Sequence, residues 1–224
     1  MFRGWRLKKI HAKFLESCRN LKEGRAYWDQ ATGFRRWFLE TISPIPLLGL
    51  QEDGGRLLSA LRWLESNCCE RPLDEHLIRE YHRMIYKGGP EAAGQYRKGK
   101  ISVIGSSISR PSPEKVPALM KRLDLRLKEE QDMFHDMRPV DQTQVLMLAI
   151  DLYQRIGLIH PFADANGRVA RLTMNHLMRR YRLGYIIFPP LSEAAQLWQA
   201  LQKAHTGDLA ELAEFAEQCM MRLG

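Results

Sequence analysis

The chain has 224 residues, 45% of them hydrophobic, and carries 34 Lys and Arg against 26 Asp and Glu for a net charge of +8. That is enough apolar material for one helical domain with a sizeable core. No apolar run approaches the roughly 18 residues that a membrane-crossing helix needs, and the basic residues are spread along the chain rather than gathered in one patch, so neither a membrane span nor nucleic acid as a partner is expected.

The first segment, residues 1–50, reads as an N-terminal helical extension. Met1 to Lys13 is basic but lacks the apolar stretch of a secretory signal. Trp5, Leu7, Ile10 and Phe14 alternate with Arg and Lys, a pattern that suits a docking helix with one solvated face. Residues 51–224 form the second unit. Apolar periodicity predicts helices over 51–67, 73–86, 114–130, 140–158, 167–182 and 192–219, the last interrupted near Gly207. The one strand-like stretch is Ile101 to Ile104, set among the turn residues Gly88, Gly89, Gly94, Gly99 and Gly105. The expected fold class is therefore all-α with one small β-hairpin. The cysteines at 18, 68, 69 and 219 have no metal-ligand spacing, and reduced thiols in a cytoplasmic protein fit them best.

The helix over 140–158 has Asp141 as its N-cap, with Gln144 three residues on as in a capping box. It should end near Gly157, and Pro161 should keep His160 extended. Between that helix and the next lies His160-Pro161-Phe162-Ala163-Asp164-Ala165-Asn166-Gly167-Arg168, followed by Arg171. This segment runs straight into a helix N-terminus, where unpaired N–H groups from about Ala165 to Arg168 and the helix dipole favour an anion. Ala165 and Gly167 leave the backbone open to a phosphate. Arg168 and Arg171, three apart on one helix, can reach the same polyphosphate. Asp164 is a hard oxygen ligand suited to Mg²⁺, and His160 can take a proton near neutral pH. Together these groups describe transfer of a phosphate-containing group from a nucleotide to a hydroxyl.

The segment resembles the signature of the Fic (Fido) family at every defined position. Around it, Gly94-Gln95-Tyr96-Arg97 followed by Ile101 to Gly105 resembles the family's flap hairpin, and Pro111 to Pro117 its proline-rich entry to the next helix. The resemblance covers roughly residues 55–220 and implies protein adenylyltransferase activity with ATP as substrate. It implies that His160 is the base for a Ser, Thr or Tyr hydroxyl and that Asp164 holds Mg²⁺. Ala165, Asn166 and Gly167 would line an anion hole, and Arg168 and Arg171 would bind the β- and γ-phosphates. Phe162 would anchor the loop in the core. A target protein would dock along the flap near Ile101 to Ile104 by strand addition. Gly167 favours nucleotidyl transfer over the kinase-like branch, which has Lys there. UMP, GMP or phosphocholine transfer, and a catalytically silent binding module, stay open beside it. A homodimer and translocation as an effector are also compatible with the resemblance.

Family members are often restrained by an inhibitory Ser/Thr-x-x-x-Glu-Gly/Asn helix. Among all Ser and Thr residues here, only Ser66 has Glu at the fourth following position, Glu70, and Arg71 follows it. Residues 41–49 hold Pro44 and Pro46 and no Glu, which argues against an inhibitory helix there. The resemblance thus points to a separate antitoxin-like inhibitor or another form of restraint. His82, His176 and the cluster Arg179-Arg180-Tyr181-Arg182 read as structural. His135, beside Asp132 and Asp136 in an expected loop, reads as no metal site. Arg97 could either hold substrate or brace the hairpin.

Overall fold

The computed structural model describes residues 50–86, 88–102, 108–137, 139–188 and 195–221. The extension expected over 1–50, save Leu50, lies outside the described residues, as do Val103 to Ser107. Among the described residues there are seven α-helices: α1 Leu50–Asn67, α2 Glu75–Ile85, α3 Val116–Asp136, α4 Gln142–Ile159, α5 Asn166–Arg180, α6 Ala195–Ala204 and α7 Ala210–Gln218. A 3-10 turn at Pro113–Lys115 leads into α3, and the strands β1 Tyr185–Ile186 and β2 Met220–Met221 pair antiparallel, Tyr185 opposite Met221. Ile101 and Ser102, the described part of the expected flap strand, carry no regular structure.

Helices α4 and α5 pack along each other at the centre. α2 and α1 lie against α5, α3 against α2 and α4, and α7 against α4. Leu148, Leu152, Ile156, Val169, Leu172 and Leu177 are all buried between or around the central pair. Their spacing is the helical periodicity that predicts these two elements. Asp74 caps α2 by accepting from the Leu77 N–H at 2.7 Å, and Asp141 caps α4 by accepting from Thr143 and Gln144 at 2.8 and 3.4 Å. Each such cap stabilises its helix by about 1 kcal/mol.

Three carboxamides pin the chain by a common device, each gripping both the N–H and the C=O of a single residue. Gln131 grips Leu73 (2.9 and 2.8 Å), Asn166 grips Phe162 (2.9 and 2.9 Å) and Asn175 grips Ile186 (2.8 and 3.0 Å). A carboxamide has one acceptor and one donor edge, so it can serve as a strand neighbour for one peptide unit. All three are buried, where unmet peptide groups would be costly.

His176, on α5, is fully buried and takes the Tyr81 hydroxyl at Nδ1 (2.8 Å), while its Nε2–H donates to the Arg71 carbonyl (2.9 Å). Burial pushes its pKa down to about 4. Arg179 makes a two-point ion pair with Glu65 at 2.9 and 3.1 Å, and Arg180 donates to the Cys68 and Cys69 carbonyls. These residues therefore tie α1 to the end of α5, as a structural reading of them requires. His135 is exposed in the last turn of α3, not in a loop, and the described residues contain no group of three metal-ligating side chains.

Candidate active site

The signature loop runs from the end of α4 to the start of α5. His160 terminates α4 with φ 50° and ψ 60°, its N–H donating to the Ile156 carbonyl. This corrects the expectation of an extended residue: His160 is left-handed, and α4 runs two residues past Gly157. A left-handed residue is the usual way to stop an α-helix, though the role commonly falls to Gly. In a non-glycine residue it is strained and must be held by its surroundings. The holding group is Arg97. Its backbone N–H donates to the Pro161 carbonyl (2.9 Å), and its guanidinium donates to the carbonyls of His160 (2.7 Å), Gly99 (3.0 Å), Pro111 (2.6 Å) and Ile159 (3.4 Å). Arg97 is 5% exposed. Of the two roles open to it in the sequence, this geometry is that of a brace.

The His160 ring is part-buried, and its Nδ1 lies 3.1 Å from the Gly157 carbonyl oxygen. A carbonyl can only accept, so Nδ1 carries the proton in the neutral ring and Nε2 keeps its lone pair. Burial pushes the His160 pKa below its ordinary value, and the nearby Arg110 and Arg97 charges act in the same direction, against the Gly157 bond and Asp164. The ring is thus kept neutral with a basic nitrogen available.

Phe162 is fully buried, as expected of the loop's anchor. It stacks on His82, which stacks in turn on Tyr86 with centroids 4.7 Å apart. His82 Nδ1 accepts the Gly94 N–H at 2.8 Å. Burial pushes its pKa down to about 4, against the opposing effect of the Asp164 backbone. His82 is structural, but it also connects α2, the start of the flap segment and the signature loop. Gly94 has φ 73°, and a Cβ there would meet the Arg83 side chain at 2.7 Å and the Arg79 carbonyl at 3.0 Å. Only glycine fits at this point. Tyr96 adds a bond to Glu75 (2.8 Å), and Arg79 donates to the Gly94 carbonyl (2.7 Å), so α2 fixes the flap's first residues.

Ala165 is the N-cap residue of α5, with φ 62°, and offers no side-chain acceptor. The first N–H groups of α5 therefore open toward the loop rather than onto a cap. Arg168 and Arg171 are 7% and 6% exposed, and the Asp164 carboxylate faces solvent, 3.3 Å from Arg168 Nη2. A Cβ built at Gly167 would lie 3.6 Å from Arg171 Nη1, so a long side chain at 167 would enter the space beside that guanidinium. The Asn166 carboxamide is turned onto the Phe162 backbone and fixes the loop.

The pattern of the Fic/DOC family matches residues 72–178, spanning α2, the flap segment, α3, α4 and nearly all of α5. Residues 72–178 belong to the Fic/DOC family. The chain is 30% identical over 143 residues to the protein adenylyltransferase Fic of Drosophila mojavensis, covering 63% of this chain and 26% of that protein. It is 27% identical over 189 residues to the protein adenylyltransferase fic-1 of Caenorhabditis elegans, covering 82% of this chain and 35% of that protein. It therefore spans only about a quarter to a third of the length of these curated relatives. The structure superposes on a Fic domain containing signalling protein from Bacteroides thetaiotaomicron with a TM-score of 0.69 at 22% identity, over 96% of this chain and 93% of that one. The fold is thus the expected one, mostly helical.

The Ser66–Glu70 segment lies along the C-terminal half of α5, where Arg180 donates to the Cys68 and Cys69 carbonyls and His176 is bonded to the Arg71 carbonyl. Glu70 is exposed in the turn after α1. Cys68, Cys69 and Cys219 are free thiols. No described helix is long and apolar enough to cross a membrane.

Proposed function

We propose that this chain is a protein adenylyltransferase that moves AMP from ATP to a Ser, Thr or Tyr hydroxyl of a target protein. The observation that carries the reading is the His160 ring, kept neutral by burial with Nδ1 given to Gly157, beside a helix N-terminus flanked by Arg168 and Arg171. The names of the Drosophila and Caenorhabditis relatives point the same way.

His160 Nε2 takes the proton of the target hydroxyl as its oxygen forms a bond to the α-phosphorus. The bond from that phosphorus to the bridging oxygen breaks, and pyrophosphate leaves with the electron pair. The first N–H groups of α5, from Ala165 to Gly167, receive phosphate oxygens, and Arg168 and Arg171 offset the charge of the β- and γ-phosphates. Asn166 keeps the loop in shape by holding Phe162. Asp164 suits Mg²⁺, which is commonly held by one or two carboxylates together with phosphate oxygens and water. The ion would supply charge neutralisation at the phosphates. The flap near Ile101 to Ile104 would present backbone groups to an extended target segment.

Gly167 favours nucleotidyl transfer because it leaves the space beside Arg171 clear. Arg71 follows Glu70 where the inhibitory pattern has Gly or Asn, which supports a separate antitoxin-like partner as the source of restraint. Free thiols fit a reducing, cytoplasmic setting. A homodimer belongs to the same reading and is checked by sedimentation.

The test is incubation with Mg²⁺, cell lysate and ATP labelled at either the α- or the γ-phosphate, with wild type beside His160→Ala. Label from the α position only, lost in the variant, is the expected result. Label from the γ position only means kinase-like chemistry, and no label from either moves the search to other nucleotides or to a silent module.

A further inference from the structure

We propose that Arg97 is a positioning residue that fixes the peptide unit of His160 and joins it to both arms of the flap segment, giving base and docked target one relative placement. This rests on the adenylyltransferase reading above. The guanidinium reaches carbonyls in three separate stretches of chain. Gly99 lies on the outgoing arm, Pro111 on the returning arm, and Ile159 and His160 at the end of α4. The Arg97 N–H adds the Pro161 carbonyl.

The geometry suits guanidinium and no other side chain. Its planar fork donates in several fixed directions, whereas a lysine ammonium is a compact charge that cannot span the same carbonyls. The last carbonyls of α4 lack intrahelical partners and carry the negative end of the helix dipole, so a buried cation is favoured there. The bond to the His160 carbonyl acts on a left-handed residue, whose backbone would otherwise relax. Since φ and ψ of His160 set the direction of its Cα–Cβ bond, releasing that carbonyl re-aims the imidazole. A misplacement of about 1 Å in a reacting group can cost a hundredfold in rate. The four guanidinium bonds, 2.6 to 3.4 Å long, engage all three nitrogens of the fork. Arg97 contacts no phosphate-facing group in this arrangement, so its loss should leave nucleotide affinity largely intact.

The test uses the full chain as Arg97→Lys and Arg97→Gln, alongside wild type. Three quantities are read: the rate of label transfer from α-labelled ATP, the affinity for a fluorescent ATP analogue with Mg²⁺, and the pH dependence of transfer. Both variants should transfer at least about tenfold more slowly, with analogue affinity within about twofold of wild type. The acid limb should stay in place for Arg97→Lys, which keeps the charge, and move to higher pH for Arg97→Gln. Transfer at the wild-type rate in either variant, or equal losses of rate and affinity, overturns the proposal. Should neither variant fold, amide exchange on the wild-type protein decides. The Arg97 amide should exchange as slowly as those inside α2, and free exchange there overturns the clamp. Wild type that transfers no label ends the adenylyltransferase reading instead, while the exchange measurement still judges the clamp.

Discussion

The imidazole of His82 lies parallel to the phenyl ring of Phe162, with centroids 4.0 Å apart and planes 5° apart. One ring belongs to α2 and the other to the loop between α4 and α5. Their contact sets the loop's height above the core, and the His82 bond to Gly94 ties the flap's first residues to the same platform. Loop shape and flap origin are thus referred to one buried histidine.

Stability should therefore depend on acidity. His82 and His176 are both held near pKa 4 by burial, against an ordinary value of 6.5. Between those values the unfolded chain binds protons that the native rings refuse, so stability falls as pH drops from 6.5 toward 4. Each ring contributes at most about 3 kcal/mol to that loss. Urea denaturation at pH 7.5, 6 and 5 should show a falling midpoint, with a shallower slope in His176→Gln. A midpoint independent of pH across this window would contradict the assignment of both rings as neutral.

His160→Ala should lower label transfer about 10²- to 10⁴-fold, the range for loss of a general base. Nucleotide affinity and melting temperature should change little, since the ring's one protein bond is to the Gly157 carbonyl at a helix end. In wild type the base works only when neutral. Its lowered pKa therefore carries activity below pH 6.5 before the acid limb begins. An acid limb centred above 6.5 would show that another group limits the rate.

Asn166→Ala removes the acceptor for the Phe162 N–H and the donor for its carbonyl, leaving a buried peptide unit unpaired. The expected destabilisation is about 1–3 kcal/mol, read from chemical denaturation. Asn166→Asp should be worse for activity than its effect on stability suggests. It keeps an acceptor but sets a negative charge against the Phe162 carbonyl, beside the helix end proposed to bind phosphate. If Asn166→Asp and Asn166→Ala lose activity in proportion to stability alone, the charge argument fails.

Glu70→Gly should leave transfer at the wild-type level. Glu70 is exposed in the turn after α1, and Arg71 follows it where the inhibitory pattern has Gly or Asn. A severalfold rise in activity would mean that Glu70 reaches Arg171.

Much of this was readable in the residues. Apolar spacing located the helices, and Asp141 announced the cap of α4. Other features depend on contacts distant in sequence. α3 runs to Asp136, beyond where its apolar pattern fades, because Gln131 pairs with Leu73 and Phe134 packs edge-on against Tyr181. Pro161 suggested an extended His160, but the left-handed state is held by Arg97, 63 residues earlier. The bonds of the Asn166 carboxamide to Phe162 could not be read from the sequence, because neither its rotamer nor its partner is encoded locally. For Arg97 the sequence offered a cation beside a tyrosine, and its set of carbonyls exists only once α4 and the flap have met.

The clamp of Asn166 on Phe162 also bears on chemical ageing. Asn-Gly is the dipeptide most prone to deamidation in a flexible chain, because the following amide nitrogen can attack the side-chain carbonyl and close a succinimide. Here Asn166 and Gly167 open a helix, and both polar atoms of the Asn166 side chain are bonded. That geometry keeps the attacking nitrogen away from the carbonyl carbon. The folded loop thereby shields its own covalent integrity, whereas time spent unfolded would convert Asn166 to aspartate or isoaspartate and leave molecules that cannot rebuild the site.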